Sequence, residues 1–139
     1  MSATQQRDRV AWVVRFFRCD PAVVARQAAK AAAECGDVYK QCAVRAWLVA
    51  ALAEQGDRGR AEKVLREAMG LAATVQPVSS RGEALFLLFQ AACAIGKEPA
   101  AEVYRVLESC PPEHWRVQKA LRDAGRIRDG QLVPMSFIW

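Results

Sequence analysis

The sequence has few of the residues that carry catalytic or metal-binding chemistry. His114 is the single histidine, and the five cysteines, at positions 19, 35, 42, 93 and 110, form no CxxC pair. A zinc site needs closely spaced cysteine and histidine ligands, and a catalytic triad needs a histidine base oriented by a third residue. No glycine-rich segment has the spacing of a phosphate-binding loop. We therefore predict a protein that is not an enzyme and uses no metal or cofactor. His114 is expected on the surface. The weakest alternative is a catalytic nucleophile pair formed by one cysteine and His114.

The sequence also lacks long apolar runs, and we expect it to have no signal peptide. The longest apolar run, residues 84–95, is about 12 residues long and contains Gln90, which is too short to span a membrane. Residues 1–8 are polar and lack the hydrophobic stretch of a signal peptide. Cysteines in such a chain are expected to stay reduced. We expect a cytoplasmic protein that does not bind membranes, and the richness in arginine and alanine suggests a bacterial source with a GC-rich genome.

Helix-forming residues dominate the chain. Alanine accounts for 26 of the 139 residues, and alanine has the highest helix propensity of all residues. The β-branched and aromatic residues do not cluster in the alternating pattern of strands. A chain of this length forms one domain in most cases, so we predict an all-α fold with a single domain over residues 1–125.

Turn residues divide this domain into about seven helices. Gly36-Asp37 and Gly56-Asp57 each combine a helix C-cap with the N-cap of the next helix. The predicted helices form three pairs and one single helix, at about residues 4–35, 38–73, 80–109 and 113–124. Residues 126–139 are predicted to form a non-helical C-terminal tail, because Gly130 and Pro134 interrupt the helical pattern.

Three helix boundaries rest on single residues. Ser79 or Ser80 is expected to be the N-cap of the fifth helix, with Glu83 completing a capping box. Pro99 is expected to start the sixth helix, and Gly125 is expected to end the seventh.

The segment from residue 48 to residue 69 carries a repeat motif. The residues at the consensus spacing of the motif are Leu48, Leu52, Gly56, Asp57, Ala61, Leu65, Ala68 and Met69. Part of the pattern recurs 40 residues later, where Gly96 corresponds to Gly56. The spacing resembles the tetratricopeptide-repeat superfamily, over about residues 4–109. This resemblance implies a short right-handed solenoid of αα-hairpins.

The same resemblance implies a concave groove, lined by the first helix of each pair, that holds a peptide or a partner's helix. In this register Ala46 and Ala50 line one unit, and Glu83, Phe86 and Gln90 line the next. Small alanines beside one phenylalanine would form a shallow apolar trough suited to a helix. The alternative is that these residues are core, covered by the next helix.

The tail contains Phe137, Ile138 and Trp139, which would form a costly exposed patch if they stayed in solvent. They can pack on the chain's own last helices, enter the groove of a second copy to form a homodimer, or dock on a different protein. We count Phe137 and Trp139 among the candidate partner-binding residues. Four tryptophans, which include Trp139, are expected to serve as core or helix-contact anchors: Trp12, Trp47, Trp115 and Trp139.

The leading hypothesis is a non-catalytic module for protein–protein interaction, an adaptor or chaperone-like protein. The formal charge of +5 offers an alternative, a nucleic-acid-binding helical repeat protein. It would use arginines near the two ends of the chain, Arg7, Arg9, Arg15, Arg18, Arg122, Arg126 and Arg128. A third and weaker hypothesis is an enzyme with an unrecognised site.

Overall fold

The computed structural model describes residues 36–130 and, before them, five isolated helical positions, Val23, Arg26, Gln27, Lys30 and Glu34. This part of the chain contains helices and no strand, so the all-α prediction is confirmed. We number its continuous helices α1 Val38–Glu54, α2 Arg58–Ala72, α3 Val78–Ile95, α4 Lys97–Glu108 and α5 Trp115–Arg128. The two helices predicted before Asp37 lie outside the described residues apart from those positions, as do residues 131–139 of the predicted tail.

The boundaries of α1 and α2 follow the predicted caps. The carboxylate of Asp37 accepts a hydrogen bond from the backbone N–H of Lys40 at 2.8 Å, and Asp57 accepts one from Arg60 at 3.2 Å. Between the helices, Gly56 has φ +84°, a left-handed conformation that glycine adopts without steric cost. Its N–H donates to the carbonyl of Ala53. Asp37 and Asp57 therefore act as the N-caps that the sequence predicted.

Helices α3 and α4 both begin earlier than predicted. Pro77 is the N-cap of α3, and no side chain caps the helix. The carbonyl of Pro77 accepts hydrogen bonds from the N–H groups of Ser80 and Arg81, so Ser79 lies within the first turn and is buried there. Helix α4 begins at Lys97, and Pro99 lies in its first turn, where its missing N–H leaves no hydrogen bond unmade.

Helix α5 continues past Gly125 to Arg128, so the predicted start of the tail at residue 126 is wrong. Ile127 explains the extension, because it continues the buried face formed by Val117, Ala120 and Ala124. Burial of its side chain stabilises one more helical turn by about 1.5–3 kcal/mol. The helix ends at Arg128, and Gly130, two residues further on, donates its N–H to the carbonyl of Ile127 at 3.0 Å.

Helix α3 is the centre of the fold. It contacts α1, α2, α4 and α5. These neighbours surround its apolar side chains, which include the fully buried Leu85, Leu88 and Phe89. Within residues 36–130 and the five earlier positions, α3 is the one helix long and apolar enough to cross a membrane by length and composition. Because most of it is buried among its neighbours, the same composition is explained by a core helix, and the evidence for a membrane span is weak.

Candidate functional site

A small cleft lies between the first turn of α1, the first half of α3 and the first half of α5. Its volume is about 210 Å³. We call it the α1–α3–α5 cleft, and its lining residues are Tyr39, Glu83, Phe86, Leu87, Arg116, Lys119, Ala120 and Asp123. The cleft thus combines a floor of apolar side chains with charged groups of both signs.

The close packing of α3 on α5 positions the charged groups of this cleft. A Cβ atom at Gly82 would lie only 3.1 Å from Cγ2 of Val117, so the absence of a side chain there allows the two helices to approach. Glu83 follows Gly82 along α3, and Arg116 precedes Val117 along α5. These two side chains form an ion pair, with 3.6 Å between Arg116 Nε and Glu83 Oε1. The ion pair therefore lies directly beside the close approach at Gly82.

The remaining charged groups of the cleft are also paired. Asp123 is buried, and its Oδ2 lies 3.1 Å from Nζ of Lys119 and its Oδ1 lies 4.0 Å from Nε of Arg122. Burial, followed by the negative charge of Glu83, raises the pKa of Tyr39 above its ordinary value. Tyr39 therefore stays a neutral phenol at physiological pH and offers a hydrogen bond from its hydroxyl.

Trp115 is the large exposed hydrophobic residue of the described chain, with 62% of its surface in solvent. The prediction that it is a core or helix-contact anchor is therefore wrong. The guanidinium of Arg116 lies 5.4 Å from the centre of the Trp115 ring, and the His114 ring stacks on the same indole with 6.0 Å between the ring centroids. His114 is exposed, as predicted, and its Nδ1 accepts the N–H of Arg116 as the N-cap of α5. The indole is thus held beside the α1–α3–α5 cleft.

The structure separates the predicted groove residues into two groups. Glu83 and Phe86 line the α1–α3–α5 cleft, where Glu83 is half-buried and Phe86 is buried. Ala46, Ala50 and Gln90 are buried inside the fold, as the alternative interpretation expected. The remaining two candidates, Phe137 and Trp139, lie outside the described residues.

Sequence reasoning missed the contribution of α5 to the cleft. Arg116, Lys119 and Asp123 recur at helical spacing on one side of α5. This spacing was visible in the sequence, but the repeat resemblance ended near residue 109, before α5 begins. Trp115 was missed because an isolated tryptophan at a helix start gives no sign of its exposure.

A second and larger groove, of about 540 Å³, lies between the last half of α3, helix α4 and the end of α5. We call it the α4–α5 groove. Its apolar wall contains Phe89, Ala100, Tyr104 and Ile127, and the rings of Phe89 and Tyr104 are 6.1 Å apart. The guanidinium of Arg128 lies 4.6 Å above the ring of Tyr104. No residue lines both this groove and the α1–α3–α5 cleft.

The cysteines of the described chain are buried or half-buried thiols. Burial raises the pKa of Cys42 to about 11 and that of Cys93 to about 12. Cys110 is shifted in the same direction, also by burial. Nucleophilic chemistry needs the thiolate, so these three residues are poor nucleophiles near neutral pH. Among the described positions, no group of three or more histidine, cysteine and acidic residues could hold a metal ion.

The chain matches no protein-family model, no curated protein and no solved structure. The resemblance to the tetratricopeptide-repeat superfamily therefore stays a prediction based on the residues of the motif.

Proposed function

We propose that this protein is a non-catalytic interaction module of the cytoplasm that binds a helix or an extended peptide of a partner protein. The observation that carries the proposal is the exposed Trp115 beside the α1–α3–α5 cleft, with its ring held against Arg116. The proposed role is that of an adaptor or a chaperone.

The residue types at the cleft support this proposal. Tryptophan and arginine are the residues most enriched where a few side chains dominate the affinity of a protein interface. An indole that is 62% exposed leaves apolar area for a partner to cover. The mixed charges of Glu83, Arg116 and Lys119 favour a partner that carries both signs, as a peptide does.

The packing order of the helices supports a repeat architecture of the tetratricopeptide type. Helix α1 packs on α2 and helix α3 packs on α4, as in two αα-hairpins. The first helices of successive units, α1, α3 and α5, also pack in series, which is the nearest-neighbour pattern of a solenoid. In such a stack the first helices form the concave side, and all three contribute residues to the cleft.

The size of the cleft favours peptide recognition over catalysis on a small molecule. Ligand pockets in proteins measure about 300–1,000 Å³, and this cleft measures about 210 Å³. That volume accommodates one or two side chains of a partner. The raised pKa values of Tyr39 and of the buried cysteines leave these groups protonated, and a general base or nucleophile needs the opposite.

The distribution of charge favours a protein partner over nucleic acid. Residues 36–130 contain 14 basic and 12 acidic side chains, so they contribute only +2 to the formal charge of +5. Arg122 lies beside Asp123 of the cleft, whereas Arg128 packs on Tyr104 in the α4–α5 groove. Two of the three described arginines of the nucleic-acid hypothesis, Arg122 and Arg128, therefore lie on different surfaces, and Arg7, Arg9, Arg15 and Arg18 lie outside the described residues.

A phage-displayed library of random peptides, selected on the full chain, tests the proposal. We expect the selected peptides to share a motif and to lose about 30-fold in affinity on Trp115→Ala, which corresponds to a hot-spot contribution of about 2 kcal/mol. Arg116→Glu should weaken the same peptides by reversing a charge in the cleft. Arg58→Glu is the matched control, because Arg58 is exposed, pairs with a glutamate four residues later, and lies outside the cleft.

Two results would contradict the proposal. One is a selection that yields no common motif. The other is a set of peptides that bind wild type, Trp115→Ala and Arg116→Glu with equal affinity, which would place the interaction site elsewhere on the chain.

A further inference from the structure

The exposed surface of α5 is rich in basic side chains. Five exposed residues of the helix are basic, namely Arg116, Lys119, Arg122, Arg126 and Arg128. The one acidic residue within the helix, Asp123, is buried. The exposed acidic residues nearest to the helix in the sequence, Glu113 and Asp129, lie beyond its two ends. The exposed surface of α5 therefore carries charge of one sign.

Four exposed residues form a single stripe along α5, at offsets of 0, 4, 7 and 11 residues: Trp115, Lys119, Arg122 and Arg126. At about 100° per residue they lie within about 60° of one another around the helix, and we call this surface the α5 stripe. It is roughly 16 Å long. Trp115 lies beside the α1–α3–α5 cleft and Lys119 lines it. The α5 stripe therefore continues the proposed binding surface along the helix.

The basic charges of the α5 stripe are only partly balanced within the described chain. Asp123 lies 3.1 Å from Nζ of Lys119 and 4.0 Å from Nε of Arg122, so one carboxylate is shared between two cations. Arg126 forms no ion pair with a residue of the described chain. Arg122 and Arg126 are four residues apart, a spacing at which like charges destabilise a helix. Carboxylates of a partner along this surface would offset that repulsion.

We propose that the partner segment bound at the α1–α3–α5 cleft is acidic, with an apolar side chain on Trp115 and carboxylates along the basic part of the α5 stripe. This inference rests on the proposed function, because it names the chemistry of the partner for the same site. The cations from Lys119 to Arg126 span roughly 10 Å of the helix, which about three residues of an extended peptide cover. A short run of aspartates or glutamates next to an apolar anchor therefore matches the α5 stripe.

The acidic groups beside the α5 stripe favour an acidic peptide over a nucleic acid. Glu83 and Asp123 line the cleft, and their carboxylates would repel a phosphate backbone that continued from the stripe into the cleft. A peptide has backbone N–H groups that can donate to carboxylates, and its negative charge ends where its acidic run ends. One peptide can therefore place an acidic run on the stripe and an uncharged anchor at the cleft.

The peptides selected on the full chain test the chemistry of the partner. They should carry more aspartate and glutamate than lysine and arginine next to the apolar anchor. Replacement of their acidic residues by asparagine and glutamine should weaken binding to wild type about tenfold, the combined effect of three exposed charge pairs. Salt at about 0.5 M should weaken the acidic peptides and not the amide peptides, because salt screens exposed charges.

Two charge reversals on α5 test the position of the acidic run. Arg126→Glu should weaken the acidic peptides about fivefold, whereas the matched control Arg128→Glu should leave their affinity unchanged. Both residues are exposed and lie in the last turn of α5, so the two variants have the same net charge and a similar effect on the helix dipole. The two positions are about 200° apart around the helix, and Arg128 lies outside the cleft. Arg126→Gln, a milder change, should weaken the acidic peptides about twofold.

Three results would overturn the inference. The first is a set of selected peptides that are neutral or basic. The second is equal affinity of the acidic peptides for wild type, Arg126→Glu and Arg128→Glu. The third is a single-stranded oligothymidine of about ten nucleotides that binds more tightly than the peptides and loses affinity in Arg126→Glu, which would assign the α5 stripe to nucleic acid.

The first two results would leave the proposed function intact, provided that the peptides still lose affinity on Trp115→Ala. Binding of acidic peptides that depends on Arg126 but not on Trp115 would have the opposite meaning. It would contradict the proposed function while it supported an acidic partner for the α5 stripe.

Discussion

Nε of Arg116 lies 3.6 Å from Oε1 of Glu83, and this contact joins the first turn of α5 to α3. The two side chains are 44% and 42% exposed, so water screens the charges on both sides. Exposed ion pairs contribute about 0–1 kcal/mol to stability. The contact therefore adds little to stability, and the same guanidinium also lies 5.4 Å from the centre of the Trp115 ring.

A double-mutant cycle with Glu83→Gln and Arg116→Gln measures this contact. We expect a coupling energy of about 0–1 kcal/mol from urea denaturation, and we expect 1 M salt to remove most of it, since the Debye length is then about 3 Å. The exposed pair of Arg58 and Glu62, at 3.1 Å, is the reference cycle. A coupling above about 2 kcal/mol that persists in 1 M salt would show that the pair is desolvated, against this interpretation.

Gly82→Ala should destabilise the protein by about 1–3 kcal/mol, the usual cost of overpacking a core. The added methyl group would lie 3.1 Å from Cγ2 and 3.4 Å from Cα of Val117, which is fully buried and has little room to move. The loss should appear as a lower urea midpoint. It should also weaken peptide binding, because α5 carries Arg116 and Trp115.

Gly70→Ala is the control for that substitution. Gly70 lies within α2, is exposed, and has no atom within 4 Å of the position a Cβ would occupy. Alanine there should stabilise the protein by about 0.5–1 kcal/mol through helix propensity alone. If both variants were stabilised equally, the close approach of α3 and α5 would not depend on Gly82.

Local signals in the sequence were sufficient for the helices that begin and end with strong caps. Asp37, Gly56 and Asp57 predicted the limits of α1 and α2 to within one residue, because their side-chain and backbone preferences act within one turn. The errors occurred where contacts between helices decide the boundary. Gly125 did not end α5, because the burial of Ile127 outweighs the modest cost of a glycine inside a helix.

The candidate site was also predicted only in part, because contacts between helices decide which side chains line the cleft. Glu83 and Phe86 were found because the repeat register places them on one side of α3, and both line the cleft, although Phe86 is buried. Gln90 follows the same register and is also buried but does not line the cleft, since exposure depends on which neighbour covers a position. The spacing of Arg116, Lys119 and Asp123 places them on one side of α5, but the sequence of α5 alone does not indicate that this side faces α1 and α3.

Phe89→Ala should lower the stability of the protein, whereas Trp115→Ala should weaken peptide binding with little effect on stability. Phe89 is buried and packs on Tyr104, so its truncation should cost about 3–5 kcal/mol. Trp115 is 62% exposed, so its truncation should change the free energy of unfolding by less than about 0.5 kcal/mol while weakening selected peptides. Urea denaturation of both variants measures the two losses of stability, and the affinity of Trp115→Ala for the selected peptides measures the loss of binding. A large loss of stability in Trp115→Ala would identify the indole as a structural contact instead of a binding residue.

The stability of the protein should fall as the pH rises above about 9, and the buried cysteines are the reason. Burial raises the pKa of Cys93 from 9.0 to about 12 and that of Cys42 from 9.0 to about 11. Between pH 9 and pH 11 the unfolded chain therefore loses thiol protons that the folded chain retains. The free energy of unfolding falls wherever the unfolded state binds fewer protons, so the stabilising contribution is complete below pH 9 and decreases through this window.

Cys93→Ala isolates this effect from other alkaline titrations. Because alanine has no proton to lose, the free energy of unfolding of the variant should decline less steeply between pH 9 and pH 11 than that of wild type, as measured by urea denaturation. Val78→Ala, at a half-buried position of the same helix that does not titrate, should keep the wild-type slope. Parallel slopes for wild type and Cys93→Ala would mean that the Cys93 thiol ionises as readily in the folded protein as in the unfolded chain. Cys93 lines the α4–α5 groove, so that result would also indicate that water reaches the thiol through the groove.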